Sequence, residues 1–457
     1  MTRKDSMKLE VGITIAFCIA AWSCTKKEEA QRTEAPRKVP PLEDAMLEVS
    51  DRMPDARRRV DVAAELALAH AEVGSTARSS ELLTRAASLA SAMPAAEDRE
   101  AGLLRVAAAH EKLGDLVRAY ELTGQLPITE RTAEARAELA YAFTRGGQED
   151  RGQTVVEALG RTRYGDLAKA QVVRAWAELG RVKEALEVAK SMGAASARNA
   201  ALLAVSEAHA RSGRLKDAQK AAEWMDAGIE RSQAYSAIAL AAHSVGNVRL
   251  SSLMRDRVES ALLRATTLAR MGEIAETKNN PSAARTLLAK AIKEAEGATN
   301  GAMVDAALEA VAMTYADLDR FERAKEVAAR TKNPEVITKV LARATANAAL
   351  AGRLDEAKAL APKLEGSPVW AAQGLDPLAV ALARGGRISE ALEAALTIFH
   401  LELRIPPLAR IAVLACRRCQ PADSGPCREG FGAECLPAEP AWLSLMEKGL
   451  ELGATPQ

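Results

Sequence analysis

The chain has 457 residues, 48% of them hydrophobic and 27% charged, which is ample for a large core. Its 62 Lys and Arg balance 61 Asp and Glu to a net charge of +1, and no basic block forms a nucleic-acid footprint. Aromatic residues make up only 3%, which argues against a carbohydrate or cofactor site built by stacking.

At the N-terminus, Arg3, Lys4 and Lys8 lead into an apolar run from Val11 to Trp22, and Cys24 follows Ser23. A run of about a dozen residues is too short to span a bilayer stably. This order of basic, apolar and small residues before a cysteine resembles the bacterial lipoprotein signal, started at Met1 or Met7. That resemblance implies a signal peptide over residues 1–23 and lipid attachment at Cys24. An uncleaved anchor or an ordinary secretory signal are the rival readings. Ala21 and Trp22 depart from the family, which usually has Leu and then a small residue there. Residues 24–41 are polar, charged and proline-bearing without apolar periodicity, and predict a disordered tether. Thr25, rather than Asp, after the cysteine implies onward sorting to the outer membrane, facing the periplasm.

From residue 42 to 400 the chain repeats. Gly74, Gly114, Gly147, Gly180, Gly213, Gly246, Asn279, Asp319, Gly352 and Gly386 are spaced at 33 or 34 residues, except for two spacings of 40. A fixed period in this range signals a solenoid of helical hairpins. Gly, Asn and Asp tolerate a left-handed backbone and end helices, so each marks the turn between a first and a second helix. Five residues after each marker the side chain is Ala, Ser or Gly, and eight before it is apolar. Four before, bulky residues recur: His70, His110, Phe143, Trp176, His209, Tyr315 and Leu382. Such a repeated column is a packing position, not a metal site. The extra seven residues in the 40-residue spacings equal about two helical turns, predicting longer second helices near 76–92 and 282–296.

The pattern resembles the tetratricopeptide repeat family over roughly residues 55–400. RAWAELGRVKEALEVA (174–189) carries Trp176, Gly180 and Ala185 after Val172. EAHARSGRLKDAQKAA (207–222) carries His209, Gly213 and Ala218 after Val205. A period of 33 and a mostly missing proline at the end of the second helix depart from the family. The resemblance implies an all-α, right-handed α-solenoid of ten to eleven hairpins, with first helices lining a concave surface. On that reading the column six before the turn faces inward. Its central members are Tyr141, Arg174, Glu207, Leu240, Glu273 and Met313, a mixture suited to a peptide or a helix of another protein. Tyr141 and Arg174 are the expected hot spots by residue type.

Residues 401–457 predict a cap. Adding 33 to Gly386 reaches Cys419, with apolar Ile411 eight before it, so an eleventh first helix is expected from about Pro407 to Arg418. A last helix from about Pro440 to Leu452 would cover the open end, since terminal repeats lack a neighbour. Between them stand Cys416, Cys419, Cys427 and Cys435. Two disulfides lead the readings of this cluster in an exported chain, ahead of a zinc site or a redox-active Cys416/Cys419 pair.

No Gly-rich phosphate loop, zinc-protease motif or nucleophile elbow occurs, so no catalytic residue, metal or cofactor is assigned. The expectation is a lipid-anchored scaffold that binds proteins without turnover. The alternatives are a periplasmic small-ligand or wall-polymer binding protein, and a thiol-redox protein.

Overall fold

The computed structural model describes residues 41–298, 300–364, 367–417, 445, 446 and 448–450. The described helices lie in one compact unit that starts at Leu42, save that α1 (Pro41–Arg52) begins one residue earlier. The signal, Cys24 and the tether lie outside the described residues, as do Cys419, Cys427 and Cys435. Cys416 falls within a helix, but its side chain is not described.

Among the described residues the fold is an all-α solenoid of helical hairpins with no strand. The first helices are α2 (Ala56–Glu72), α4 (Ala96–Lys112), α6 (Glu130–Arg145), α8 (Arg163–Glu178), α10 (Ala195–Arg211) and α12 (Ile229–Ser244). They continue with α14 (Ala261–Thr277), α16 (Gly301–Asp317), α18 (Glu335–Leu350), α20 (Pro368–Arg384) and α22 (Leu401–Arg417). The second helices between them are α3 (Thr76–Ser91), α5 (Leu116–Gly124), α7 (Glu149–Leu159), α9 (Val182–Ser191) and α11 (Leu215–Glu223). They are followed by α13 (Val248–Asp256), α15 (Pro281–Glu296), α17 (Phe321–Ala328), α19 (Leu354–Leu360) and α21 (Ile388–Leu396).

The turns explain the period. All ten markers adopt positive φ, between 58° at Asp319 and 84° at Gly180. The residue after each donates its N–H to the carbonyl four before the marker, as Arg181 does to Trp176 (2.8 Å) and Asn280 to Ala275 (2.9 Å). This closes the first helix by satisfying carbonyls that would otherwise be orphaned. The small residues five after the marker are all buried, and so are the apolar residues eight before it. The first set lets the second helix approach; the second set fills the seam beneath it. The two 40-residue spacings are taken up by α3 and α15, each 16 residues long, where the shortest second helix, α19, has seven.

The structure corrects the C-terminal reading at one point. The eleventh first helix begins at Leu401, not near Pro407, and carries Pro406 and Pro407 inside it. Burial of Leu401 and Ile405, at 4% and 0% exposure, outweighs the backbone bonds the prolines remove. Each first helix packs on the next, and α22 packs on α2, so the eleven described first helices form a closed circuit. Residues 445, 446 and 448–450 are helical, with Met446 and Leu450 buried, and the Gly449 carbonyl accepts from Arg404 of α22.

Candidate functional site: the inner face of the first helices

Each first helix presents three sides. The second helices cover the face with the apolar residue eight before the turn, and neighbouring first helices cover the flanks. The column six before the turn lies on the remaining face, because six and eight residues from the turn differ by about 200° around a helix of 3.6 residues per turn. Ion pairs cross this face between neighbouring first helices. Arg105 holds Asp61 and Glu65, Lys339 holds Glu309, Arg343 holds Asp317, and Arg410 reaches Asp376 at 2.8 Å and Glu72 at 3.8 Å.

Of the six candidate residues, Tyr141 and Arg174 are brought together. The Arg174 guanidinium lies 4.8 Å from the Tyr141 ring centroid, a cation–π contact. The Tyr141 hydroxyl donates to Glu178 Oε2 at 2.6 Å and accepts from Arg145 at 3.0 Å. Arg174 donates to Glu178 Oε1 at 3.3 Å. Burial and the Glu178 carboxylate push the Tyr141 hydroxyl above its ordinary value. At Glu178 burial acts upward, but the Tyr141 hydroxyl and Arg174 outweigh it and hold the carboxyl below its ordinary value. The four side chains therefore form a pre-ordered polar cluster across α6 and α8.

Glu207 on α10 is half-buried. Burial raises its carboxyl despite the opposing charges of Arg211, Arg174 and Arg270. Leu240 and Met313 pack half-buried against the core, whereas Glu273 is exposed. Further round the circuit, Ala346 and Val380 of the same column are buried. Within this column the side chains thus change from aromatic and charged at α6–α10 to buried aliphatic at α18 and α20, where Lys339, Arg343 and Asp376 carry the charge of the face instead.

The column of histidines is a packing column in the structure: His70, His110 and His209 are each buried. His70 pairs with the buried Glu43 of α1 at 2.8 Å. No group of three or more His, Cys, Asp or Glu among the described residues is arranged to hold a metal. No helix among them is long and apolar enough to cross a membrane.

One device was missed in the sequence. Arg99, Arg264 and Arg404 each donate to the carbonyl six residues earlier, at Met93 (2.8 Å), Val258 (2.7 Å) and Ile398 (2.7 Å). They occupy one column fifteen before the turn, where Arg59, Arg198 and Arg231 also stand. That recurrence was the available signal. Arg99, Arg264 and Arg404 thereby tie down the link between a second helix and the next first helix.

Neither a protein-family model nor a curated protein matches the chain. Among solved structures it is similar to Ton1535 from Thermococcus onnurineus NA1, at 13% identity over 81% of this chain and 94% of that one, with a TM-score of 0.22. It is similar to a monomeric mutant of IFIT1 with Gppp-AAAA, at 14% identity, 82% and 94% coverage and a TM-score of 0.28. A circular tandem repeat protein with novel repeat topology is a third, at 16% identity, 86% and 82% coverage and a TM-score of 0.18. At such TM-scores the helical-repeat assignment rests on the chain's own turns and columns.

Proposed function

We propose that this protein is a scaffold that binds other proteins through the inner face of its first helices, without turnover. The observation that carries this reading is where chemical variety is allowed. The columns that face second helices are uniformly small or apolar and buried, whereas the column six before the turn runs through Tyr141, Arg174, Glu207, Leu240, Glu273 and Met313. Packing explains the first set. Recognition of a partner explains the second, with the Tyr141–Arg174–Glu178 cluster as its pre-organised centre. We read the repeat as tetratricopeptide-like, from its marker, its bulky column and its small column. We also read the chain as lipid-anchored at Cys24 in a bacterial envelope, on the outer membrane and facing the periplasm, from the order of residues in its first 25.

The test is cross-linking in intact source cells, then membrane pull-down and mass spectrometry, with native protein beside a Tyr141→Ala/Arg174→Ala variant. A protein lost only from the variant supports the inner face as the binding surface. Equal recovery from both moves binding elsewhere on the molecule, and no enriched protein at all counts against the scaffold.

A further inference from the structure

The closing seam, where α22 meets α2, carries a second site, separate from the inner-face cluster. A cleft of about 870 Å³ opens there, bounded by α2, α3, α4 and its turn, α20 and α22. That volume suits a small ligand. Its charge is unbalanced. Four carboxylates, Glu65, Glu72, Asp115 and Asp376, line it against two cations, Lys112 and Arg410. Counting Arg105, which holds Glu65 from outside the lining, still leaves an excess of negative charge.

A second observation points to a ligand. Ser79 lines the cleft at 2% exposure, and its hydroxyl has no hydrogen-bond partner among the described residues. Its column holds Ala in seven of ten repeats, so packing does not require the hydroxyl. A buried polar group left unpaired is unfavourable unless something else satisfies it. His110 lines the same cleft, with Nδ1 3.0 Å from Asp115 Oδ2. Burial outweighs Asp115 and holds its pKa below the ordinary histidine value, which keeps the ring neutral near pH 7. A neutral ring that donates from Nδ1 to Asp115 has Nε2 as its acceptor. The cleft is therefore rich in acceptors: a serine hydroxyl, an imidazole nitrogen and carboxylates.

We propose that the seam cleft binds a primary ammonium group on a flexible aliphatic chain, and that the bound ligand bridges the first and last repeats. Ammonium donates three hydrogen bonds and accepts none, which matches this lining. Its source is a free polyamine or the lysine side chain of a peptide. A ligand held by both sides of the seam stabilises the closed circuit by mass action.

The full chain is titrated with spermidine and, separately, with trilysine at low ionic strength, by calorimetry and by thermal unfolding. Saturable binding with a raised unfolding midpoint is expected, weakened about tenfold or more by Ser79→Ala and by Asp376→Asn. Ser79→Ala installs the commonest residue of the column, so it decides the matter even if loss of the Asp376–Arg410 pair disturbs folding. Binding of spermidine alone assigns a polyamine, and of trilysine alone a peptide. The proposal is overturned if neither cation binds saturably, if Ser79→Ala leaves binding unchanged, or if succinate binds in their place.

Discussion

Gly152→Ala separates packing from helix propensity at a single methyl group. Gly152 lies inside α7 in the column five after the turn, where Ala predominates. By propensity alone the change should stabilise the helix by about 1 kcal/mol. Against that, a Cβ there would overlap Thr144 Oγ1 and lie 3.0 Å from the Ala140 carbonyl oxygen. Thr144 is fully buried, and its hydroxyl donates to Ala140 at 2.8 Å, so it has no free space to enter. Overpacking of this kind costs about 1–3 kcal/mol. Displacing the hydroxyl adds about 1 kcal/mol, which cancels the propensity gain. The expected net loss is thus about 1–3 kcal/mol. Thr144→Ala with Gly152→Ala removes the obstacle and should return stability to within about 1 kcal/mol of the parent, a coupling typical of residues in contact. Urea unfolding followed by far-UV circular dichroism measures the loss, and hydrogen exchange at α7 localises it. If Gly152→Ala is stabilising, or if the two substitutions simply add, the close approach of α6 and α7 is not what sets this column.

Two further predictions follow from other parts of the circuit. Ala185→Trp, at a fully buried contact, should lower stability by about 1–3 kcal/mol or more, whereas Glu207→Ala on the inner face should change it by no more than about 0.5 kcal/mol; equal melting shifts would show the columns to be misassigned. Arg387 and Lys358 hold the Glu390 carboxyl down at about 2, against an ordinary 4.5. Because the folded value is the lower one, this contribution to stability is complete above about pH 4.5 and lost as pH falls toward 2. Glu390→Gln should therefore flatten the acid limb of the urea midpoint against pH, and an unchanged limb would contradict that assignment.

Much of the molecule is legible in the sequence because its constraints are local. A left-handed turn residue can be Gly, Asn or Asp with little else to choose from, and all ten such positions are turns. A small residue five later and an apolar one eight earlier follow from helix geometry within one hairpin. The seven extra residues in two spacings could only lengthen a helix, and they do so in α3 and α15. The start of α22 was misread because Pro406 and Pro407 were weighed by local preference, while burial of Leu401 and Ile405 is a tertiary contact.

The candidate surface divides along the same line. The sequence alone places Tyr141 and Arg174 in one column of successive repeats, because that depends only on the period. That they stack, share Glu178 and leave Glu273 exposed depends on side chains from different helices meeting across a shared face. The closure of α22 onto α2 is further still from the sequence. It arises from small rotations between neighbouring repeats, summed around the whole circuit, and no residue pattern within a single repeat records that sum. The seam cleft with Ser79, His110 and Asp376 exists only because the sum closes.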